Sequence, residues 1–204
     1  MRLIDGLTQL NIPADEKTVS LLERYRDAVL AKNEELNLTA PIDADTFNVR
    51  HILDSLAAAS FFSNSRNIID VGSGGGMPGI PLAIIFPQLR ITLCESKIKK
   101  AQALTDFVSL LGLANVRVEN RNVFEVKERY DTVTARAFAE LDKIADVLKK
   151  TGAPGAQAVC YKGRHATASD EMAKINKKVY TVSLTPVTVP FLNEERCIVL
   201  IQRN

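Results

Sequence analysis

The sequence predicts an α/β fold, with a mostly parallel sheet, helices on both faces, an antiparallel C-terminal edge and an N-terminal helical extension. Two observations carry this prediction. From Asn67 onward, short apolar runs alternate with segments of helical periodicity, which is typical of a parallel sheet. Before that point the chain has helical periodicity but no convincing strand. We therefore expect a helical extension over residues 1–64 and a compact core over residues 65–204.

The helical extension is predicted from two segments. In "ADEKTVSLLERYRDAVLAKNEELN", the apolar residues Val19, Leu22, Tyr25 and Val29 recur at steps of three and four. "NLTAPIDADT" then interrupts the pattern, and "FNVRHILDSLAAASFF" resumes it.

In the core, the predicted strands are "NIIDV", "RITLCE", "VRVEN", "YDTVTAR" and "AQAVCYKG". The predicted helices are "PGIPLAIIF", "KIKKAQALTDFVSLLG", "LDKIADVLKK" and "ASDEMAKINKKVY". The last two β-rich runs, "TVSLTPVTV" and "ERCIVLIQ", predict an antiparallel hairpin-like edge. In such sheets the ligand sits beyond the carboxyl ends of the strands.

Composition sets limits on function and location. The chain has 204 residues, 46% of them apolar, and a net charge of +2. No run approaches the ~20 apolar residues of a membrane span, and the N-terminus does not resemble a signal peptide. The three cysteines are far apart and lack the paired spacing of zinc sites. We expect a cytoplasmic monomer without metal and without membrane contact.

The stretch "NIIDVGSGGGMPGIPLAI" contains five glycines within residues 72–79, and it can be read in two frames. In one frame Gly74–Gly79 fits the dinucleotide pattern G-x-G-x-x-G. In the other frame Asp70 is followed by a G-x-G-x-G run made by Gly72, Gly74 and Gly76. The two frames favour different cofactors.

Physical chemistry favours the second frame. A dinucleotide brings a pyrophosphate, which prefers helix N-terminal N–H groups and no adjacent carboxylate. Asp70 introduces a carboxylate, and Pro78 and Pro81 remove N–H donors at the start of the following helix. S-adenosylmethionine carries a sulfonium and an ammonium group and no phosphate, so it suits an acidic, phosphate-free loop.

Two further segments are candidates for the cofactor site. The second strand ends in "CESK", where Glu95, with Ser96 beside it, lies about 20 residues beyond the loop, the position of an acid that holds a ribose diol. Because S-adenosylmethionine and a dinucleotide both contain a ribose, Glu95 does not distinguish between them. After the third strand, Asn122 and Val123 are expected to supply a polar contact and an apolar wall for adenine.

Basic residues cluster near the predicted strand ends and in the helical extension. Arg136 directly follows the fourth strand, and we expect it to position the cofactor or the RNA backbone. A candidate RNA-binding set comprises Arg50, His51, Arg121, Lys162 and Arg164. For Arg50 and His51 the alternative is that they brace the helical extension, and for Arg136 it is a structural ion pair.

Several motifs together resemble a known family. "NLTA", "RHILDSL", "IIDVGSGGGMPGIPLAI", "TARAFA" and "YKG" occur in this order, and they cover nearly the whole chain. They are similar to the bacterial 16S ribosomal RNA guanine-N7 methyltransferase family RsmG, also called glucose-inhibited division protein B (GidB). The resemblance implies a class I, Rossmann-like methyltransferase fold, S-adenosylmethionine as donor and the 530 loop of 16S rRNA as target. It also implies that the cofactor site is lined by Gly72, Met77, Asn122, Val123 and Arg136.

The implied reaction needs no acid–base residue. Guanine N7 carries a free lone pair on its Hoogsteen edge and attacks a methyl group without prior deprotonation. Accordingly, the sequence offers no Ser-His-Asp or Cys-His constellation, and Arg136 is expected to position rather than to transfer protons. Two alternatives remain at this point: an NAD-linked oxidoreductase and a non-catalytic rRNA-binding assembly factor.

Overall fold

A computed structural model describes residues 2–204 and contains a sheet of seven strands within them. The strands are β1 (Asn67–Val71), β2 (Arg90–Cys94), β3 (Val116–Glu119), β4 (Tyr130–Arg136), β5 (Gly152–Lys162), β6 (Tyr180–Pro186) and β7 (Cys197–Arg203). Their spatial order is β3-β2-β1-β4-β5-β7-β6. Strands β1 to β5 pair in parallel, and β7 is antiparallel to both β5 and β6. The prediction of a mostly parallel sheet with an antiparallel C-terminal edge is confirmed.

Helices surround this sheet. They are α1 (Leu3–Gln9), α2 (Glu16–Leu36), α3 (Ala44–Phe47), α4 (Asp54–Leu56), α5 (Gly79–Ile85), α6 (Ile98–Leu111), α7 (Leu141–Thr151) and α8 (His165–Ala173). A π-helical turn, Asn48–Leu53, joins α3 to α4. Helix α2 begins at a side-chain cap, where Asp15 accepts a hydrogen bond from the Thr18 N–H. It ends at Asn37, whose φ of 48° is left-handed.

The structure differs from the predicted elements in three places. The helix predicted from "ASDEMAKINKKVY" begins earlier, at His165, and ends at Ala173, and its predicted last residue, Tyr180, belongs to strand β6. Helix α1 was not predicted. The last two strands do pair, but β7 lies between β5 and β6, so that β6 alone forms the edge.

The apolar core lies on both faces of the sheet, as the alternation of side chains along a strand requires. On β1, Ile68 packs with the cluster that contains the buried residues of α2, α5 and α6. Its neighbour Ile69 packs with the cluster under α7 and α8. The first cluster also contains Tyr25 and Phe47, so the helical extension shares its core with the sheet.

Strand order reverses between β1 and β4, which are neighbours although β2 and β3 separate them in sequence. Ligands of open α/β sheets bind in the crevice at this kind of switch point, beyond the carboxyl ends of the strands. The loop after β1 and the residues that follow β4 both lie there.

Candidate functional site

A cleft of about 710 Å³ lies at the carboxyl ends of the central strands. On one side it is lined by the glycine loop, the residues that follow β4 and β5, and the start of β7. On the other side it is lined by two parts of the helical extension, Leu38–Ala40 and the segment that contains Arg50, His51 and Asp54. The extension and the sheet therefore enclose one site.

The glycine loop presents bare backbone to this cleft at Gly74. A Cβ added there would meet only the Gly72 carbonyl oxygen, at 3.8 Å, whereas one added at Gly76 would lie 2.5 Å from Ile80 Cδ1. Gly72 and Gly74 line the cleft, but Gly76 is packed inward. Of the predicted cofactor-binding glycines, Gly76 therefore has a close-packing role, and its contact with a cofactor stays a prediction.

Helix α2 holds the loop from the other side. The buried Tyr25 hydroxyl donates a hydrogen bond of 2.8 Å to the Gly75 carbonyl oxygen. The sequence showed Tyr25 only as one apolar position of an amphipathic helix, so this contact was not foreseen.

Asp70 lies beneath the loop rather than at its open edge. Its side chain is fully buried, and Oδ2 accepts a hydrogen bond of 3.1 Å from the Gly79 N–H at the start of α5. Among the described residues, Oδ1 has no hydrogen-bond partner. Burial raises the pKa of Asp70 to about 7. The carboxyl group thus anchors the loop to α5, and its contact with a cofactor stays a prediction.

Glu95 is bound to the same loop. Its Oε2 accepts a hydrogen bond of 3.1 Å from the Gly74 N–H, and Oε1 accepts one of 2.8 Å from the Lys97 N–H. The acid at the end of β2 is therefore held next to the bare backbone of Gly74. The ribose contact itself stays a prediction.

Like Glu95, the other adenosine candidates, Ser96, Asn122 and Val123, are not part of the cleft lining. Ser96 is exposed, and Val123 is buried. The Asn122 side chain accepts a hydrogen bond from the Phe124 N–H and so caps the turn that contains Val123. These three residues follow β2 and β3, at the same end of the sheet as Glu95, and their role stays a prediction.

Arg136, at the end of β4, joins the loop to the helical extension. Nη1 donates to Asp54 Oδ2 at 3.0 Å and to the Arg50 carbonyl oxygen at 3.3 Å. Nη2 contacts His51 Nδ1 at 3.1 Å and Met77 Sδ at 3.0 Å. Arg136 thus lines the cleft and also forms an ion pair, and its positioning of the cofactor or the RNA backbone stays a prediction.

His51 is held at both ring nitrogens. Nδ1 contacts Arg136, and Nε2 lies 2.7 Å from Thr39 Oγ1. Burial, together with the charges of Arg136 and Arg50, lowers the pKa of His51 to about 3. The imidazole is therefore neutral at physiological pH, and its ring packs edge-on against Phe47.

Asp54 is the centre of an ion-pair cluster that the sequence did not reveal. Its Oδ1 accepts a hydrogen bond of 2.9 Å from Arg196 Nε, while Oδ2 pairs with Arg136. Arg196 also pairs with Glu194, which in turn pairs with Arg50. We call these side chains, with His51, the arginine network. Asp54 lies within the quoted motif "RHILDSL", where a carboxylate among the apolar residues Ile52, Leu53 and Leu56 was the available signal.

The remaining candidate RNA-binding residues differ in availability. Lys162 Nζ is 2.6 Å from Glu171 Oε2 and 3.2 Å from the Ala139 carbonyl oxygen, so its charge is already paired. Arg121 pairs with Glu119 but is half exposed. Arg164 is exposed. Their contacts with RNA stay predictions, and Arg164 is the best placed of the three.

Two features of residues 2–204 bear on metal binding and on membrane insertion. No group of three or more His, Cys, Asp or Glu side chains in this range is arranged to hold a metal ion. Nor does this range contain a helix that is both long and apolar enough to cross a membrane.

Comparison with known proteins gives consistent matches. The family model GidB, described as rRNA small subunit methyltransferase G, matches residues 18–199. The protein named "Ribosomal RNA small subunit methyltransferase G" from Brachyspira hyodysenteriae is 38% identical over 98% of this chain and 97% of its own length. The one from Chromobacterium violaceum is 37% identical over 97% and 94%.

Solved structures extend the match at the level of fold. A ribosomal protein L11 methylase from Lactobacillus delbrueckii subsp. bulgaricus superimposes with a TM-score of 0.61 at 14% identity, covering 81% of each chain. An rRNA methylase from Streptococcus thermophilus has a TM-score of 0.52 at 13% identity, covering 74% of this chain and 94% of that chain. The predicted Rossmann-like methyltransferase fold is confirmed.

Proposed function

The chain belongs to the rRNA small subunit methyltransferase G family, and from this premise we propose that it methylates N7 of a guanine in the 530 loop of 16S rRNA. The donor in this proposal is S-adenosylmethionine. Guanine N7 and the 530 loop are the target implied by the family resemblance of the sequence. We propose further that the enzyme is a cytoplasmic monomer that needs no metal ion.

The described residues fit this donor. The space next to Gly74 is open because this residue has no side chain. Glu95 accepts a hydrogen bond from the Gly74 N–H. Gly72 and Met77 line the same cleft, and Asn122 and Val123 would complete an adenosine site beside it. When bound, the donor supplies a methyl group on a positively charged sulfur, which requires no phosphate-binding groups.

One observation supports transfer without a general base: the titratable groups of the arginine network that face the cleft are already engaged. Both nitrogens of His51 and both oxygens of Asp54 have protein partners. Since N7 attacks through its own lone pair, the chain's task is to orient the base and exclude water. An RNA base reaches such a cleft only when splayed out of its stack.

The charges of the cleft also suit a product that gains positive charge. Arg136 and Arg196 share the carboxylate of Asp54, and His51 stays neutral. The positive charge that develops on the methylated guanine is therefore opposed less strongly than it would be by unpaired arginines.

The test is transfer of labelled methyl from S-adenosylmethionine to small subunits and to naked 16S rRNA isolated from a strain that lacks the enzyme. We expect label at a 530-loop guanine, mapped by borohydride reduction and aniline cleavage, which is specific for N7-methylguanine. Label at another atom or loop contradicts the proposed target. Binding of S-adenosylhomocysteine without transfer to either RNA indicates the non-catalytic assembly factor instead, and binding of NAD with no binding of S-adenosylhomocysteine rejects the proposed cofactor.

A further inference from the structure

A chain of hydrogen bonds runs from Arg136 through His51 to Thr39. Arg136 Nη2 lies 3.1 Å from His51 Nδ1, and His51 Nε2 lies 2.7 Å from Thr39 Oγ1. Thr39 lines the cleft opposite the glycine loop. It belongs to the "NLTA" motif, whose function the cofactor site does not explain.

The direction of every hydrogen bond in this chain follows from the chemistry of its first member. A guanidinium donates hydrogen bonds and has no acceptor, so His51 Nδ1 accepts. In a neutral imidazole the other nitrogen then carries the hydrogen, and the lowered pKa of His51 keeps the ring neutral. His51 Nε2–H therefore donates to Thr39 Oγ1.

The Thr39 hydroxyl is consequently left as a donor. Because its oxygen accepts from His51, its own hydrogen remains available to another acceptor, and within residues 2–204 no group accepts it. The backbone of Thr39 is fixed as well, since its N–H donates to Asn33 Oδ1 at 2.8 Å. The result is an oriented, neutral hydrogen-bond donor at the wall of the cleft.

We propose that Thr39 is a specificity-determining residue that donates its hydroxyl hydrogen to O6 of the target guanine. This inference rests on the proposed function, because it assumes that the target base is guanine. On the Hoogsteen edge, guanine places the O6 acceptor beside N7, whereas adenine places an N6 amino donor there. The Thr39 hydroxyl can therefore donate a hydrogen bond to guanine O6. With adenine, the hydroxyl and the N6 amino group would both be donors, and no hydrogen bond could form.

The relay also explains why a hydroxyl, rather than an arginine, faces the base. A guanidinium that contacted O6 directly would bring a full positive charge against a ring that becomes cationic on methylation. Through His51, Arg136 fixes the direction of the donor while its charge remains paired with Asp54. Thr39 supplies the hydrogen bond without the charge.

The first test needs no substrate. Long-range ¹H–¹⁵N spectra of the full chain report the tautomer of His51, and the Nε2–H form is expected at pH 7. The chain has two histidines, so a His165→Gln variant assigns the signals. An Nδ1–H tautomer or a charged ring at pH 7 overturns the proposal.

The second test is a double-mutant cycle between enzyme and base. Small subunits are reconstituted with 16S rRNA that carries guanine, inosine or 2-aminopurine at the target position; 2-aminopurine keeps N7 but lacks O6. For the wild type we expect guanine and inosine to react alike and 2-aminopurine to react on the order of 10-fold more slowly, the size of one neutral hydrogen bond. Thr39→Val should lose a similar factor on guanine and no longer discriminate against 2-aminopurine.

Controls separate this role from others. Thr39→Ser keeps the hydroxyl and should keep the discrimination. Thr181→Val removes a hydroxyl bond to Asn204 at the far end of β6 and should change nothing. Affinity for S-adenosylhomocysteine should be the same for Thr39→Val and the wild type. Transfer by the wild type with unchanged discrimination in Thr39→Val overturns this inference alone, whereas no transfer to any guanine by the wild type overturns the proposed function with it.

Discussion

Two parts of the cleft lining, the glycine loop and the arginine network, are built in opposite ways. The glycine loop is a contiguous stretch of backbone, fixed by buried partners such as Tyr25, Asp70 and Glu95. The arginine network consists of side chains from three distant segments, with Asp54 bonded to Arg196 across 142 positions. The glycine loop depends on the absence of side chains, and the arginine network depends on the mutual pairing of its side chains.

Because of this difference, substitutions should affect ligand binding in the glycine loop and stability in the arginine network. A loop of bare backbone loses its ligand when a side chain is added, even if the fold survives. A network of paired charges loses stability when one partner is removed, because the remaining charges are left without compensation. The variants below exploit this contrast, beginning with the largest expected effect.

Gly74→Asp should abolish donor binding without unfolding the chain. A Cβ at this position enters open space, and aspartate tolerates the left-handed φ of 56° better than most residues do. Calorimetric titration with S-adenosylhomocysteine should show a loss of affinity of more than about 100-fold, equivalent to about 3 kcal/mol.

Gly155→Asp is the matched control for this variant. Gly155 also has a positive φ and open space around its Cβ, but it lies at the opposite end of β5. It should bind S-adenosylhomocysteine as the wild type does. Tight binding by a folded Gly74→Asp variant would mean that the loop does not contact the donor.

Asp54→Asn should destabilise the fold. It removes the charge shared by Arg136 and Arg196 while keeping the shape of the side chain. The two arginines are 15% and 20% exposed, so we expect a loss of about 1–3 kcal/mol in urea unfolding, below the range for fully buried pairs. Glu35→Gln, which breaks the exposed pair with Lys32, should leave the free energy of unfolding unchanged. Equal effects of the two variants would contradict a structural role for the network.

Asp70→Asn should change how stability depends on pH. Burial raises the pKa of Asp70 to about 7, a shift opposed by the Gly79 N–H, the Ser73 hydroxyl and the charge of Arg136 and reinforced by that of Glu95. Between about pH 4 and pH 7 the native chain keeps a proton that the unfolded chain releases, so the stability of the wild type falls as pH rises through this window. Relative to the wild type, Asp70→Asn should therefore gain stability from pH 4 to pH 7 and no more above pH 7. A constant difference across urea titrations at pH 4 to 8 would show that Asp70 is ionised in the native state.

Arg164→Gln and Lys162→Gln should have small and distinct effects. Arg164 is exposed, so its loss should weaken RNA binding a few-fold and reduce the slope of log affinity against log salt by about one. Lys162 is paired with Glu171, so its loss should reduce stability and leave the salt slope unchanged. Filter binding of labelled 16S rRNA over a salt series measures the salt slope of each variant, and urea unfolding measures its stability. The reverse pattern would assign the phosphate contact to Lys162.

The place of the glycine loop, in the cleft after β1, could be predicted from the sequence because everything needed to recognise the loop is local. Asp70, the glycines and the following prolines are contiguous, and the position of Glu95 follows from the length of one strand–helix–strand unit. The arginine network was only partly predictable. Arg196 approaches Asp54 because β7 inserts between β5 and β6, and nothing in the sequence around either residue indicates that insertion.

The same limit applies to individual side chains. Lys162 and Arg164 look alike in "YKGRH", yet only Lys162 meets a carboxylate, which comes from a helix that the sequence placed a few residues too late. Reaction chemistry alone argues against a general-base role for His51, since guanine N7 needs no deprotonation. Its hydrogen-bond partners, Arg136 and Thr39, come from opposite sides of the cleft. They could be identified only in the folded chain.

The hydrogen bond between Tyr25 and Gly75 joins positions 50 residues apart. The loop and helix α2 are therefore expected to change together in evolution. The loop is contiguous in sequence, yet one of the hydrogen bonds that hold it comes from Tyr25 of helix α2. Transplanting residues 72–79 into another sheet would carry the pattern without the hydroxyl that secures it. A lineage that remodelled helix α2 would alter the loop without changing any of its glycines.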